Sequence, residues 1–452
     1  MSHAEIARED DPPTPPAHRI AGTGYAILAL VLLCLANACN LADRMLVGIL
    51  QEPVRLEFGL SDFQLGLLGG PAFAILYSLL SIPVARIADR SNRIAVVAIA
   101  LGAWSTFTAI CGFAGSYLQL LLARLGVSIG EAGGSPPSLS YLADLFGPAR
   151  RATAMAVFAI GGPAGALMAT FLGGRIAQDH GWRASFLTFG GLGILLAVVI
   201  RVTLRELRAP PPAAAQPSIN ATLRLLASKR SYVHVCAAGV FGSFALNFLM
   251  QYMTSFLMRM HELPISRAAL ILGLAGGVFG MAGAFSGGYI ADIIARRRPG
   301  ARTLVVSAAF VVAAFGFVIA LWSPLTVAVP LLLLSCFSAN SYPGVSYAVA
   351  GGVAPPALRA TSIAIFTLFG NLFGYALGPP LLGALSDLAS QWELGRAGYT
   401  AAQCTIGSVL PACSDAQARG LRWAMTLGAL ILLVGSFHFW RASKTLERDL
   451  AH

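Results

Sequence analysis

A succession of long apolar runs constrains this chain more than any other feature of its sequence. A helix that crosses a bilayer needs about 20 consecutive, mostly apolar residues. Twelve runs of 18 or more residues occur, and we number them as spans 1 to 12 in chain order. They lie near residues 21–49, 62–87, 94–113, 118–143, 152–174, 185–206, 233–259, 268–294, 303–322, 326–350, 358–386 and 421–441. The sequence therefore predicts an all-α membrane protein with twelve transmembrane helices.

The composition agrees with this class and argues against others. Only 11% of the 452 residues are charged and 56% are hydrophobic, whereas soluble proteins carry about 25% charged residues. The net charge of +11 has an ordinary explanation in a membrane protein, because basic residues concentrate in its cytoplasmic loops. We therefore expect no nucleic-acid partner. The segment Gly126-Val127-Ser128-Ile129-Gly130 matches a hydrolase motif but lies inside an apolar run, without a strand and turn. We predict no enzyme activity, no metal and no cofactor.

The chain divides into two halves of six spans each. Residues 1–19 are polar and rich in proline, which predicts a disordered cytoplasmic tail. Residues 207–231 combine prolines with an amphipathic basic stretch, and they predict a cytoplasmic linker with a surface helix. The predicted domains are therefore a six-helix bundle over 20–206, a second one over 232–443, and a short cytoplasmic tail over 444–452.

The basic residues predict which ends of the spans face the cytoplasm. If the N-terminus lies inside, the inner segments hold 21 arginines and lysines and the outer segments hold 8. Basic residues concentrate on the cytoplasmic side of membrane proteins, so both termini are predicted to be cytoplasmic, in the inner membrane of a cell. The polar stretch before span 12 then faces outward, where Cys404 and Cys413 can form a disulfide.

Four ionisable residues interrupt the apolar runs of the first half. Asp43 and Arg44 lie in span 1, and Arg124 and Glu131 lie in span 4. A charge at the bilayer centre costs roughly 2.5–3.5 kcal/mol on insertion scales, so such residues are kept where they are paired and functional. Arg124 and Glu131 are seven residues apart and share one helix face, and two acids can neutralise two bases. The alternative is a static ion-pair network that only fixes helix packing.

A short polar motif occurs at the same place in both halves. The stretch Ala85-Arg86-Ile87-Ala88-Asp89-Arg90-Ser91-Asn92-Arg93 follows span 2. Gly288-Tyr289-Ile290-Ala291-Asp292, with three arginines shortly after it, follows span 8. Each copy has a small residue, three further positions, an aspartate and then basic residues. The repeat indicates two pseudo-symmetric six-helix bundles.

This motif resembles the loop signature Gly-x-x-x-Asp-Arg-x-Gly-Arg of the major facilitator superfamily, with alanine and asparagine replacing its glycines in the first copy. The resemblance implies the major facilitator fold. It also implies a cytoplasmic gate that contains Asp89, Arg90, Arg93 and Asp292.

Further segments are similar to the spinster group of lipid transporters within that superfamily, in its bacterial form. They are Asn40-Leu41-Ala42-Asp43-Arg44, Pro83 ahead of Ala88-Asp89-Arg90, Arg124 with Gly130-Glu131-Ala132, and Pro355-Pro356-Ala357-Leu358-Arg359-Ala360-Thr361. The resemblance covers about residues 25–440. The segments of spans 1 and 4 are also similar to organic-anion/cation symporters, which leaves that group as an alternative.

The charges and the resemblance together predict a secondary active transporter that works by alternating access. We expect Asp43 and Glu131 to be proton-coupling sites, and Arg44 and Arg124 to bind an anionic headgroup once protonation releases them. The expected cargo is an amphipathic lipid of the lysophospholipid or sphingoid phosphate type, carried by a monomer in contact with membrane lipids. The alternatives are a proton-coupled symporter of small organic anions and, from another class, an uncoupled lipid scramblase or a transporter-like receptor.

The second half has no counterpart of these charges, so its polar and aromatic residues are the candidates for the rest of the cavity. The candidate lining residues are one residue of span 1 and eight of the second half: Asn40, and then Asn247, Gln251, Tyr252, Asn340, Tyr342, Phe369, Asn371 and Phe373. A charged half that faces an apolar half would suit an amphipathic cargo. The same residues also fit ordinary helix packing.

Overall fold

A computed structural model describes residues 22–71, 74–77, 79–80, 83–84, 91–146, 148–206, 219–296, 298–355, 358–400, 403–404 and 410–450. These parts of the chain are helical apart from turns, and they contain no strand. Ten of their helices are long and apolar enough to cross a membrane. The predicted all-α membrane class is confirmed. The predicted tail over 1–19 lies outside the described residues.

The helices of the first half follow the predicted spans. Their bounds are α1 Thr23–Phe58, α2 Asp62–Gly69, α3 Arg93–Cys111, α4 Tyr117–Glu131, α5 Ser135–Leu145, α6 Pro148–Met168, α7 Gly174–His180 and α8 Trp182–Thr203. A π-helical turn, Ala169–Gly173, joins α6 to α7, and together they form span 5. Helix α9, Ile219–Ser228, lies within the predicted linker.

The second half repeats this arrangement. Its helices are α10 Arg230–His261, α11 Ile265–Leu272, α12 Gly280–Ala295, α13 Ala301–Leu321, α14 Leu325–Ala339, α15 Tyr342–Gly352, α16 Arg359–Phe369, α17 Gly378–Arg396 and α18 Pro411–Leu450. Two further π-helical turns, Gly273–Phe279 and Gly370–Tyr375, join α11 to α12 and α16 to α17. Spans 5, 8 and 11 therefore each contain a π-helical turn.

Two helices of the first half differ from the sequence prediction. Span 1 was expected to end near residue 49, but α1 continues to Phe58 because Glu52 and other polar side chains in this extension find partners in the interior. Span 4 was expected to be one helix, but a turn at 132–134 divides it into α4 and α5. The first turn of α5 contains prolines, which cannot donate the backbone hydrogen bonds that a continuous helix requires.

The predicted tail over 444–452 begins as part of the second bundle, because α18 extends to Leu450. Leu446 is 1% exposed, and the Asp449 carboxylate accepts a hydrogen bond of 2.7 Å from the backbone nitrogen of Ser231. A carboxylate at this position satisfies a free N–H group at the amino end of α10 and interacts favourably with its helix dipole. The last two residues lie outside the described part.

The two halves pack together at the end of the molecule where α1 finishes at Phe58. We call this the distal end, and the opposite end, where α1 begins, the terminal end. At the distal end α1 contacts α10, α2 contacts α17, and α7 contacts α11. A Cβ atom at Gly66 of α2 would lie 2.6 Å from the carbonyl oxygen of Pro379, so glycine is required for this close approach.

Candidate transport site

Glu131, at the end of α4, is the centre of a buried polar cluster. Its Oε2 accepts hydrogen bonds of 2.8 Å from Arg44 Nε and of 2.8 Å from Asn40 Nδ2, both on α1. Its side chain is 0% exposed, and its Oε1 has no hydrogen-bond partner. The Arg44 guanidinium also lies 4.8 Å from the centre of the Tyr77 ring. The structure thus brings the charges of spans 1 and 4 together, as the sequence led us to expect.

Asp43 is buried beside this cluster but has a separate hydrogen-bond partner. Its Oδ2 accepts a hydrogen bond of 3.1 Å from the hydroxyl group of Thr108, on α3. It also interacts electrostatically with Glu131, Arg124 and Arg44. Thr108 was not identified from the sequence, because a threonine in an apolar helix gives no signal that separates it from ordinary packing.

Arg124 is the charge of this group with the fewest direct partners. It is 2% exposed, and its Nε and Nη1 have no hydrogen-bond partner. Its side chain borders a small, mostly apolar cavity with Leu50, Val54 and Phe186. A buried N–H group that makes no hydrogen bond costs free energy. The guanidinium is therefore balanced through space by Asp43 but is only partly satisfied by hydrogen bonds.

Glycines allow α4 to approach α3 closely enough to build the cluster. A Cβ atom at Gly130 would lie 2.6 Å from the backbone nitrogen of Trp104, and one at Gly126 would collide with the Phe107 ring. The helix backbones therefore meet directly before Glu131. This approach holds Glu131 in the interior and places α3, with Thr108, against the same group of charges.

A cavity of about 40 Å³ lies between the two halves and reaches Arg44. The second half contributes Asn247, Gln251 and Tyr375 to its wall, together with Met250 and Leu272. Two predicted lining residues, Asn247 and Gln251, are thus found at the cavity. Gln251 also donates a hydrogen bond of 3.1 Å to the Leu65 carbonyl oxygen, across the boundary between the halves.

Tyr252 differs from its expected position. It is 0% exposed, and its hydroxyl group donates to the Asp62 carbonyl oxygen in the other half, at the distal end. It does not line the cavity because it is the next residue after Gln251, and successive helix residues point in directions about 100° apart.

The remaining candidate lining residues lie in the second half, mostly in contact with their own bundle. Asn340 donates a hydrogen bond of 2.9 Å to the Cys336 carbonyl oxygen, and Tyr342 packs edge-on against Phe310. Phe369 and Phe373 stack with their ring centres 5.9 Å apart, and Phe373 is 43% exposed. Asn371 lies in the π-helical turn of span 11 and is half-buried.

The predicted gate residues that can be described make ion pairs within their own halves. Arg93 binds Asp144 and Glu206, each at 2.7 Å, and so joins the terminal ends of α3, α5 and α8. Asp292 pairs with Arg302 at 2.9 Å, between α12 and α13. Asp89 and Arg90 lie outside the described residues.

A buried ion network joins the two halves at the distal end. Arg259 of α10 donates to Glu52 of α1 at 2.9 Å, and its two terminal nitrogens bind the Asp62 carboxylate at 2.7 and 2.9 Å. The three side chains are 4–6% exposed. Asp387 of α17 adds a further link by accepting from the backbone nitrogens of Asp62 and Phe63, each at 2.9 Å. Nothing in the sequence pointed to this network.

The cysteine pair lies beyond α17. Cys404 and Cys413 form a disulfide with their Cα atoms 5.6 Å apart. Cys413 packs against Leu394 and Ala416, so the bond holds the chain before α18 against the carboxyl-terminal end of α17.

Comparison with known proteins identifies relatives over most of the chain. The model of the Major Facilitator Superfamily matches residues 33–379. An MFS-type efflux pump of Mycolicibacterium smegmatis is 34% identical, over 95% of each chain. Protein spinster homolog 1 of Bos taurus is 27% identical, over 85% of this chain and 79% of the relative.

Solved structures agree with this result. The crystal structure of a bacterial homolog to the human lysosomal transporter spinster, in an inward-facing and unoccupied conformation, has a TM-score of 0.87 and 28% sequence identity. The match covers 95% of this chain and 99% of that one. The same homolog in an inward-facing and occupied conformation gives a TM-score of 0.84.

Apolar helices in two bundles, with a cavity and an ion pair between them, define a multi-pass integral membrane transporter. The chain belongs to the Major Facilitator Superfamily, and within it to the spinster type. The predicted family, the predicted fold and the prediction that this protein is not an enzyme are confirmed.

Proposed function

We propose that this transporter couples proton movement to the transport of an amphipathic anion of the lysophospholipid or sphingoid phosphate type. One observation carries the proposal: the buried Arg124 guanidinium keeps two nitrogens without hydrogen bonds, next to two buried carboxylates. A guanidinium is suited to bind phosphate through two parallel hydrogen bonds. Such a group is maintained in an apolar interior at a cost in free energy, which favours a functional role.

In the proposed mechanism Glu131 and Arg44 act as a switch. While Glu131 is ionised, it holds Arg44 through the 2.8 Å ion pair. Protonation of Glu131 removes its charge, so Arg44, which borders the cavity, becomes available to an anionic headgroup. Asp43 acts on Arg124 in the same way, because the two charges interact in the interior. Proton binding and anion binding then favour each other.

We also propose that the terminal end is cytoplasmic, so that the structure corresponds to an inward-facing state. The 21 to 8 distribution of basic residues supports this orientation. The ion network at the distal end would then close the outer side. Similarity to the inward-facing spinster homolog supports the same assignment.

A symporter of small organic anions is the second candidate, and the size of the cavity favours it. The cavity of about 40 Å³ is far below the roughly 300–1,000 Å³ of typical ligand pockets, so a small anion would need less widening of it than a lipid. A probable L-galactonate transporter of Escherichia coli is 29% identical over 170 residues, which are 38% of this chain. The same arginines would then bind a carboxylate.

The test is proton flux in liposomes that contain the purified protein and a pH-sensitive dye inside. A lysophospholipid, a sphingoid phosphate and a small sugar acid are added in turn to wild type, to Glu131→Gln and to Glu447→Gln. Glu447 is a matched control, since it is half-exposed and pairs with Arg298 far from the cavity. We expect lipid-dependent proton entry in wild type and in the control, and its loss by at least tenfold in Glu131→Gln.

Other outcomes assign other functions. Proton movement that responds to the sugar acid but not to either lipid would identify the small-anion symporter. Lipid movement without protons, unchanged in Glu131→Gln, would indicate a scramblase and reduce the charge cluster to a structural role.

A further inference from the structure

Two histidines meet at the boundary between α10 and α18, near the terminal end. The Nδ1 atoms of His234 and His438 are 3.0 Å apart, and both side chains are half-buried. One imidazole donates its Nδ1–H in a hydrogen bond to the Nδ1 atom of the other, so the accepting ring carries its own hydrogen on Nε2, which points away from the contact. The ring of Phe241 stacks on His438 at 5.9 Å. The pair therefore offers at least one N–H donor beside an aromatic surface.

Two exposed arginines lie beside this histidine pair, and an exposed lysine lies further along α18. Arg230 lies one turn before His234 on α10, while Arg441 and Lys444 follow His438 on α18. The charges of Arg230 and Arg441 act on His234, which shows that they lie close to it. In the described residues no acidic side chain forms an ion pair with any of these three cations.

The nearby acids have other partners. Glu447 pairs with Arg298 at 3.1 Å, and Asp449 is bound to the backbone of Ser231. The positive charge beside the histidine pair is therefore not neutralised by acidic residues in the described part of the protein.

The surface next to these cations is apolar and turned outward. Val233, Val434 and Phe437 are 46%, 41% and 52% exposed, and Trp440 is 39% exposed. The Lys444 nitrogen lies 3.6 Å from the centre of the Trp440 ring. In a membrane protein such side chains face the acyl chains, while tryptophan and basic residues mark the level of the headgroups. The boundary between α10 and α18 thus combines a surface for acyl chains with a positively charged rim.

We propose that this seam, formed by Arg230, His234, Phe437, His438, Arg441 and Lys444, is a binding site for an anionic phospholipid. The phosphate lies between Arg230 and Arg441 and accepts from the histidine N–H, while an acyl chain follows Val434 and Phe437. Basic pockets between helices at a membrane surface recognise such headgroups. A divalent metal ion would instead meet two guanidiniums, which repel it. The proposal does not depend on the cargo of the central cavity.

The test uses the full chain in a neutral detergent and counts retained lipids by native mass spectrometry. Phosphatidylglycerol and phosphatidylcholine are titrated in turn into wild type and into the double variant Arg230→Gln with Arg441→Gln. A double variant of the other half, Arg201→Gln with Arg205→Gln, removes the same charge from exposed positions near the same end. We expect wild type and this control to prefer phosphatidylglycerol, and the seam variant to lose about tenfold in affinity.

A second variant keeps the test decisive if the first does not fold. His234→Phe with His438→Phe retains the ring packing but removes the N–H donor, and we expect it to bind phosphatidylglycerol several-fold more weakly. Equal retention of phosphatidylcholine by wild type would overturn the proposal. So would an equal loss in the control, or unchanged binding in both seam variants.

Discussion

Arg44 and Arg124 are the same residue type in one cluster, but their surroundings differ. Arg44 has a direct carboxylate partner at 2.8 Å, whereas two nitrogens of Arg124 have no hydrogen bond. The sequence identified both, because a charge in an apolar run stands out. It could not tell them apart, since the difference depends on Asn40 and Thr108, whose side chains reach Glu131 and Asp43 only after α1, α3 and α4 have packed.

This contrast predicts different effects on stability. Arg44→Gln breaks the buried pair and should lower the free energy of unfolding by up to about 3 kcal/mol. Arg124→Gln removes no ion pair within hydrogen-bond distance, only the through-space attraction to Asp43, and should cost less, about 1–2 kcal/mol. Both should abolish transport. The measurement is thermal unfolding in detergent, followed by tryptophan fluorescence.

The control for this pair is Arg175→Gln, which removes an exposed ion pair with Asp179 and should unfold like wild type. If Arg124→Gln is as unstable as Arg44→Gln, then Arg124 serves the packing of the bundle and the proposed role in anion binding fails.

At the scale of elements, the apolar runs predicted where helices form but not how they end or approach each other. Hydrophobicity indicates that a segment is buried in the membrane, but it does not reveal a local turn such as the one at 132–134. The contact of α2 with α17 was likewise absent from the prediction. It depends on Gly66 facing Pro379 and Pro380, which lie more than 300 residues away in the sequence.

That contact predicts a shift in conformation. A valine at Gly66 would place its Cβ 2.6 Å from the Pro379 oxygen, against backbone atoms that cannot rotate away. Gly66→Val should therefore open the distal end. The check is the distance between spin labels at Leu56 and Leu388, both exposed, with the free cysteines replaced.

Gly191→Val is the matched control, because a Cβ atom added at Gly191 would have no neighbouring atom within 4 Å. It should give the wild-type distance distribution. A wild-type distribution for Gly66→Val as well would show that the contact does not hold the distal end closed.

At the scale of the whole molecule, the two halves are held together by ions at the distal end. The sequence could not show this, because Arg259 is 207 residues from Glu52 and 197 from Asp62. Each of these residues lies near the end of a span, where charged residues are common and give no sign of a special role. Their role follows only from the packing of α1, α2 and α10. The family resemblance, in contrast, correctly predicted the overall fold.

The network makes Arg259→Gln a test of closure. Without the guanidinium, Glu52 and Asp62 remain buried near each other, and their repulsion should favour separation of the halves. We expect the population of molecules whose distal end is closed to fall by at least tenfold relative to the open form, measured with the spin labels at Leu56 and Leu388. Arg267→Gln, on α11 near the same end, should leave it unchanged. An unchanged population in Arg259→Gln would contradict the proposal that this network closes the outer side.

The contact between Asp449 and Ser231 has a consequence for biosynthesis. The residue that caps the first helix of the second bundle is translated 218 positions after it. The ribosome must therefore translate all of α11 to α17 and almost all of α18 before that helix start acquires its partner. A product truncated before Asp449 would therefore enter the membrane with the backbone N–H of Ser231 lacking this carboxylate partner.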